Sequence, residues 1–336
     1  MSNATSHKKQ WFKGVDSLRF VLAFIVLLSH YDNVYSTFLI NSKYEFLQWA
    51  GYFIANVYDG TAAVIAFFIV SGFVIHYPNK NGITNLKEFW VRRFLRILLP
   101  LAAISIIGIR YHPERLVWSL ACELVYYTAY PFMSKINTSW RDKFLVAYAI
   151  AAILIIVGAH NDVRAFLTQS NSHYHGYYWQ LGIFLTAVVG LPCWLLGVMI
   201  AENIDRMAQI ATQKVILLRA VVLLLGFICN ILKLYYHMSY ILTMNLAAIV
   251  LYKWVQAEIT YYKTRRSNPI LEKMGEFSYS IYICHPIIYL MLLDVISYNA
   301  ITYPIYIVIS IILSYVFYLL VEKPAHQLAR RFKTVK

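Results

Sequence analysis

Ten stretches of near-continuous apolar residues alternate with polar ones along the chain, at 16–31, 58–77, 94–109, 116–132, 143–159, 178–201, 214–235, 238–252, 279–296 and 303–321. Runs of that length with few charges predict helices that cross a bilayer, not the amphipathic helices of a soluble core. The two longest intervening segments, about 32–57 and 160–177, read as loops rich in polar and aromatic residues. No internal repeat and no low-complexity linker interrupts the alternation.

Composition narrows the class. The 336 residues are 60% hydrophobic and 14% charged, with a mean hydropathy of +0.56, which excludes a soluble globular domain. The predicted fold is all-α, a polytopic membrane helix bundle of about ten transmembrane helices. Residues 1–13 form a basic N-terminal segment, 14–324 the membrane domain and 325–336 a basic tail. The first apolar run is followed by no small-residue cleavage pattern, so the first helix is expected to be retained.

A formal net charge of +14 raises the question of nucleic acid, and the distribution of charge answers it. With the N-terminus in the cytoplasm and the helices alternating, only Lys43, Arg110, Arg115, Arg164 and Lys233 of the 30 basic residues fall on the far side. That bias predicts an even number of spans with both termini cytoplasmic. The excess is then an orientation signal; membrane lipids are the expected partners and nucleic acid is not. Cys122, Cys193, Cys229 and Cys284 all fall in apolar segments without metal or CxxC spacing, which reads as buried thiols. His160, His173 and His175 share one loop, but the HYH spacing puts two imidazoles on opposite sides of an extended chain, and no metal site is predicted.

Against this apolar background a few residues carry chemistry. The stretch 14–30, GVDSLRFVLAFIVLLSH, holds Asp16 and Arg19 near one end and His30 at the other. At about 1.5 Å per residue His30 lies roughly 21 Å from Asp16, deep toward the far face, and an ionisable group at such depth faces a bundle interior or a wet cavity. In FWVRRFLRILLPL (89–101), Arg93 and Arg96 share a helix face. Such a pair fits phosphate or carboxylate oxygens, or anchors the helix at lipid headgroups. In WSLACELVYYTAYP (118–131), Glu123 is an intramembrane carboxylate without a basic neighbour in sequence, and must be paired, hydrogen-bonded or neutral. Ser71-Gly72 in FFIVSGFVI reads as a close helix approach. His285-Pro286 in GEFSYSIYICHPI reads as a kink whose imidazole bonds a freed carbonyl, and Glu322-Lys323-Pro324 as an ordinary helix stop.

Taken in order from Gly14 to Pro324, these pieces resemble acyltransferase family 3, the integral-membrane O-acyltransferases of bacterial surface polysaccharides, lipopolysaccharide and related glycans. The resemblance implies an acyl-CoA donor taken from the cytoplasm, most simply acetyl-CoA, and an acceptor hydroxyl on a glycan or lipid-linked saccharide at the bacterial inner membrane. It also implies that His30 is catalytic, that Arg93 and Arg96 bind the donor, and that Glu123 stands for the acid of the family's WSLxxE motif. Many members carry a second acid and a Ser in that motif, where this chain has Leu124 and Ala121. The expected chemistry is general-base attack of the hydroxyl assisted by His30, with Glu123 orienting the imidazole, or an acyl-histidine relay. A transporter or flippase with a His/Glu proton pathway is the rival reading, and a structural scaffold leaves the buried ionisable residues unexplained.

Overall fold

The computed structural model describes residues 12–111, 118–158, 164, 167–168, 177–236 and 238–332. The loop histidines His160, His173 and His175, together with Arg115 and most of the basic N-terminal segment, lie outside the described residues. The described residues form helices and no strand. In chain order these are α1 (Val15–His30), α2 (Val34–Ile40), α3 (Glu45–Asn56), α4 (Gly60–His76), α5 (Leu86–Ile107), α6 (Trp118–Lys135) and α7 (Trp140–Gly158). There follow α8 (Gly182–Asn203), α9 (Thr212–Tyr236), α10 (Tyr240–Tyr262), α11 (Pro269–Gly275), α12 (Ser278–Leu293), α13 (Thr302–Phe317) and α14 (Lys323–Arg331).

Each apolar segment of the sequence coincides with a helix. Four helical stretches among the described residues, Glu45–Asn79, Gly182–Arg206, Thr212–Tyr236 and Thr302–Arg331, are long and apolar enough to cross a membrane. The bent pair Pro269–Gly275 and Ser278–Leu293, meeting at 65°, makes a fifth if it counts as one span. The others are shorter or more charged. α1 has 16 residues, about 24 Å by helical rise, and α5 carries Lys87, Arg92, Arg93 and Arg96.

α1 is the shared wall of the molecule. Val15, Leu18, Leu22 and Val26 enter a core built with Phe68 and Ile69 of α4, Tyr126 of α6, Trp194 of α8 and Met244 of α10. Phe20, Ala23 and Leu27, on its other face, enter a second core with Ile104 of α5, Ile281 and Ile287 of α12 and Tyr306 of α13. The three-to-four spacing of both sets makes the helix apolar all round, as a buried helix must be. Its first turn is capped from far away in sequence: Glu272 Oε1 accepts from Gly14 N (2.8 Å), Ser17 N (3.2 Å) and Ser17 Oγ (2.6 Å). These bonds satisfy helix-start amides and set a carboxylate at the positive end of the helix. On the periphery, Ile216, Leu217 and Leu224 of α9 and Val308 and Ile312 of α13 point outward, an apolar girdle that suits hydrocarbon and not water.

The close helix approach read from Ser71-Gly72 is present. A Cβ on Gly72 would stand 2.0 Å from the Trp194 carbonyl oxygen, and one on Gly197 would stand 1.8 Å from that of Ile69, so α4 and α8 touch backbone to backbone through reciprocal glycines.

Four readings need correction. The segment 32–57 is not a loop but the helical hairpin α2–α3. Asn33 Oδ1 caps α2 by accepting from Tyr35 N and Ser36 N, and Gly51 lets α3 lie against the α2 backbone. α5 begins at Leu86, eight residues ahead of the apolar run, so Arg93 and Arg96 sit about two and three turns inside the helix instead of at its mouth. α10 continues to Tyr262, past the expected end at 252, because Glu258 is neutralised by Arg219 of α9 in a two-point contact of 2.7 and 2.9 Å. Finally, Glu322-Lys323-Pro324 does not end a helix. Tyr318–Glu322 is a π-helical turn that leads into α14 with Pro324 in its first turn, where its missing N–H is harmless.

Candidate functional site

A cavity of about 320 Å³ opens between α1, α4, α5, α6, α12 and the π turn. Arg19, Arg93, Arg96, Ser71, Glu123, Tyr127, Tyr282, Glu322 and His326 bring polar groups to its wall; Val15, Phe67, Phe68 and Ile97 bring apolar ones. The local sequence explains the placement. Arg93 and Arg96, one helical turn apart, share the inward face of α5, whereas Arg92 turns back to Glu88 one turn away at 2.9 Å. On α6, Glu123 and Tyr127 are four residues apart and stack along the same face.

Glu123 is held by two hydroxyl groups in one corner of this cavity. Ser71 Oγ donates to Glu123 Oε1 at 2.6 Å, and Tyr127 OH donates to the same oxygen. Trp194 Nε1 reaches Ser71 Oγ at 3.3 Å. Ser71, read from sequence as packing alone, is therefore part of the cavity's polar wall. The arginines are different. Arg93 lies over the Phe89 ring at 5.8 Å, and neither Arg93 nor Arg96 forms an ion pair with a carboxylate among the described residues. Two guanidinium groups that face a cavity and are not ion-paired are chemically able to receive an anion, although Glu123 and Glu322 stand on the same wall.

His30 does not line this cavity. It stands at the far end of α1, exposed, with its ring 5.0 Å from that of His285, whose own ring lies 6.4 Å from the ring of the cavity residue Tyr282. Tyr282 OH pairs with Ser119 Oγ at 2.6 Å. A file of Tyr282, His285 and His30 thus leads from the cavity to the end of α1. Glu123 does not contact His30; its hydrogen-bond partners are Ser71 and Tyr127, so the carboxylate bounds the cavity and the imidazole is oriented by other means. Those means are visible. His30 Nδ1 lies 2.8 Å from the Val26 carbonyl and His285 Nδ1 lies 3.0 Å from that of Ile281. A carbonyl only accepts, so both Nδ1 atoms carry a proton, and in the neutral form of each ring the lone pair is on Nε2. The sequence reading of His285 as a carbonyl-bonded kink residue captures half of this; its Nε2 is buried without a partner.

Two further groups escaped the sequence. Glu322, 0% exposed, accepts from Ser280 N (3.1 Å) and Ser280 Oγ (2.5 Å) through Oε2, and borders the cavity because the π turn carries it inward. His76 is buried between Tyr130 OH (2.9 Å from Nδ1) and Glu202 Oε1 (2.5 Å from Nε2). Its partners are 54 and 126 residues away, and no local pattern announces them.

Helices throughout the described residues, an apolar girdle, an arginine-lined cavity and an imidazole file at its far end define an integral-membrane protein with a polar cavity inside it. The sequence profile described as Acyltransferase domain, of acyltransferase family 3, matches residues 12–112 and 116–319, and the chain belongs to that family. It is accordingly a membrane acyltransferase. Neither the curated proteins nor the solved structures gave a match to the chain.

Proposed function

We propose that the protein takes an acyl group, acetyl in the simplest case, from cytoplasmic acyl-CoA and transfers it to a hydroxyl of a surface glycan or lipid-linked saccharide at a bacterial inner membrane. In this reading all ten apolar helices cross the bilayer, both termini face the cytoplasm, and α1 runs outward from Val15 to His30. The observation that carries it is the pair of guanidinium groups, Arg93 and Arg96, facing a cavity without an ion-pair partner among the described residues, while the file from Tyr282 through His285 to His30 leaves its other end.

Arg93 and Arg96 bind the donor's phosphates, and the thioester extends toward Tyr282. His30 Nε2, the lone-pair nitrogen, takes the proton of the acceptor hydroxyl. The hydroxyl oxygen bonds to the thioester carbonyl carbon, the C–S bond breaks, and the departing thiolate recovers the proton from the imidazolium. Glu123, tied to Ser71 and Tyr127, keeps that wall polar and faces the electrostatic field of Arg93.

Membranes holding the protein are supplied with acetyl-CoA labelled in the acetyl group and with an extract of lipid-linked saccharide. Label passing to saccharide in the wild type, but not in His30→Ala at equal expression, is the expected result. Saccharide movement across the membrane without acetyl-CoA consumption points instead to a transporter, and sinks the proposal.

A further inference from the structure

Where the π turn meets the cavity, two buried polar atoms have nothing to bond. Glu322 Oε1 and Ser278 Oγ are both without a hydrogen-bond partner, both residues are 0% exposed, and both line the cavity. Leaving such atoms unpaired costs more than most single hydrogen bonds return. His326 Nε2 stands 3.6 Å from Glu322 Oε1, beyond hydrogen-bond reach, and Arg19 and Arg96 act on the carboxylate only through their positive field. The other oxygen is fully used by Ser280. The backbone shape that delivers Glu322 here, a single π turn, recurs at ligand sites in helical proteins.

The chemistry of the ligand follows from the atoms. A carboxylate oxygen accepts and so selects an N–H or O–H; a serine hydroxyl can donate to a carbonyl. Each group is thus matched to one half of a secondary amide, the N–H for Glu322 and the carbonyl for Ser278. The arginines nearby select phosphate, so one ligand that satisfies both carries phosphates at one end and amides along a narrow arm. We propose that Glu322 Oε1 and Ser278 Oγ form a subsite for the amides of the pantetheine arm of the acyl donor. This rests on the acyl-CoA reading above and extends it from the phosphates to the arm. An amide N–H of the arm donates to Glu322, and Ser278 donates to an amide carbonyl. The two contacts hold the arm on a course from the arginines toward Tyr282.

The test separates arm from phosphates by inhibition of acetyl transfer from acetyl-CoA, using pantetheine, which has the amides alone, and adenosine 3′,5′-bisphosphate, which has phosphates alone. In Glu322→Gln the side-chain carbonyl keeps the Ser280 bonds and the amide NH₂ replaces Oε1, turning an acceptor into a donor with little change of shape. The expected result is that pantetheine inhibits Glu322→Gln roughly tenfold more weakly than wild type, the size of a hydrogen bond to a charged group, while inhibition by the bisphosphate is unchanged. Ser278→Ala breaks no hydrogen bond of the described residues, so it should fold, and should show the same selectivity with a smaller change. Equal loss for both inhibitors, no change in either variant, or failure of pantetheine to inhibit the wild type overturns the subsite while leaving the acyl-CoA reading standing. A wild type that transfers nothing from acetyl-CoA overturns that reading first, and the subsite with it.

Discussion

Two sets of buried and half-buried charges stand in the same bundle and behave oppositely. Between α9 and α10, Glu258 is closed on every side: Arg219 grips both carboxylate oxygens, and Trp254 Nε1 adds a bond at 2.9 Å. Around the cavity, Arg93 and Arg96 face open space, and Glu322 holds one oxygen satisfied and one bare. The first set is a joint that lets a charged helix continue. In the second, polar bonding is left open beside the cavity. A buried charge alone therefore does not mark a candidate site; incomplete bonding beside a cavity is the added signal.

The contrast can be broken experimentally. The largest effect is expected at His30: His30→Ala should lower acetyl transfer by about 10²- to 10⁴-fold, the range of general-base catalysis, with an unchanged unfolding midpoint in detergent. Loss of both would move His30 into the structural set. Next, Arg219→Ala strands Glu258, whose side chain is 6% exposed, and should destabilise the protein by on the order of 3 kcal/mol. That is the low end for a buried pair, because the Arg219 side chain is itself 45% exposed. Thermal unfolding would register the loss, and the KM for acetyl-CoA should not move. Arg93→Ala is the mirror image. The KM should rise about 10- to 100-fold, as for a lost charge-assisted contact, while the unfolding midpoint stays at or above wild type because no carboxylate is stranded. A fall in stability comparable to that of Arg219→Ala would erase the distinction. The smallest effect is expected for Tyr127→Phe, which leaves Ser71 holding Glu123 and should reduce kcat by a few-fold, about 1 kcal/mol.

What the sequence disclosed follows the same division. Apolar runs are local, and every one of them is a helix in the structure. Arg93, Arg96 and Glu123 were legible because ionisable residues are rare in such runs, and the structure gathers all three on one cavity. His30 stood out by its expected depth, whereas the structure places it exposed at the end of α1; its neighbour His285 lies 255 residues on, and only the packing of α12 against α1 brings the rings together. The extra turns of α10 were hidden because hydropathy counts Glu258 as a penalty and cannot see Arg219. Glu322 was misread for a similar reason: a proline after a charged pair is a common helix ending, and nothing in three letters distinguishes a stop from a π turn followed by a new first turn. Local pattern finds the apolar helices, though not the α2–α3 hairpin or the full lengths of α5 and α10. Which polar atoms remain unsatisfied is settled by residues far apart in the chain.

The π turn has one more consequence, and it concerns angle. A π turn holds one residue more than the corresponding α turn, so the helix that follows is rotated by about 100° from where an uninterrupted helix would carry it. α14 receives that rotation, and with it His326 faces the cavity while Ala325 and Ala329 are buried. Deleting a single residue between Tyr318 and Glu322 would wind the segment back to α-helical register, swing His326 off the cavity wall and withdraw Glu322 from Ser280. One residue of surplus length thus acts as the angular setting of the cavity's charged rim.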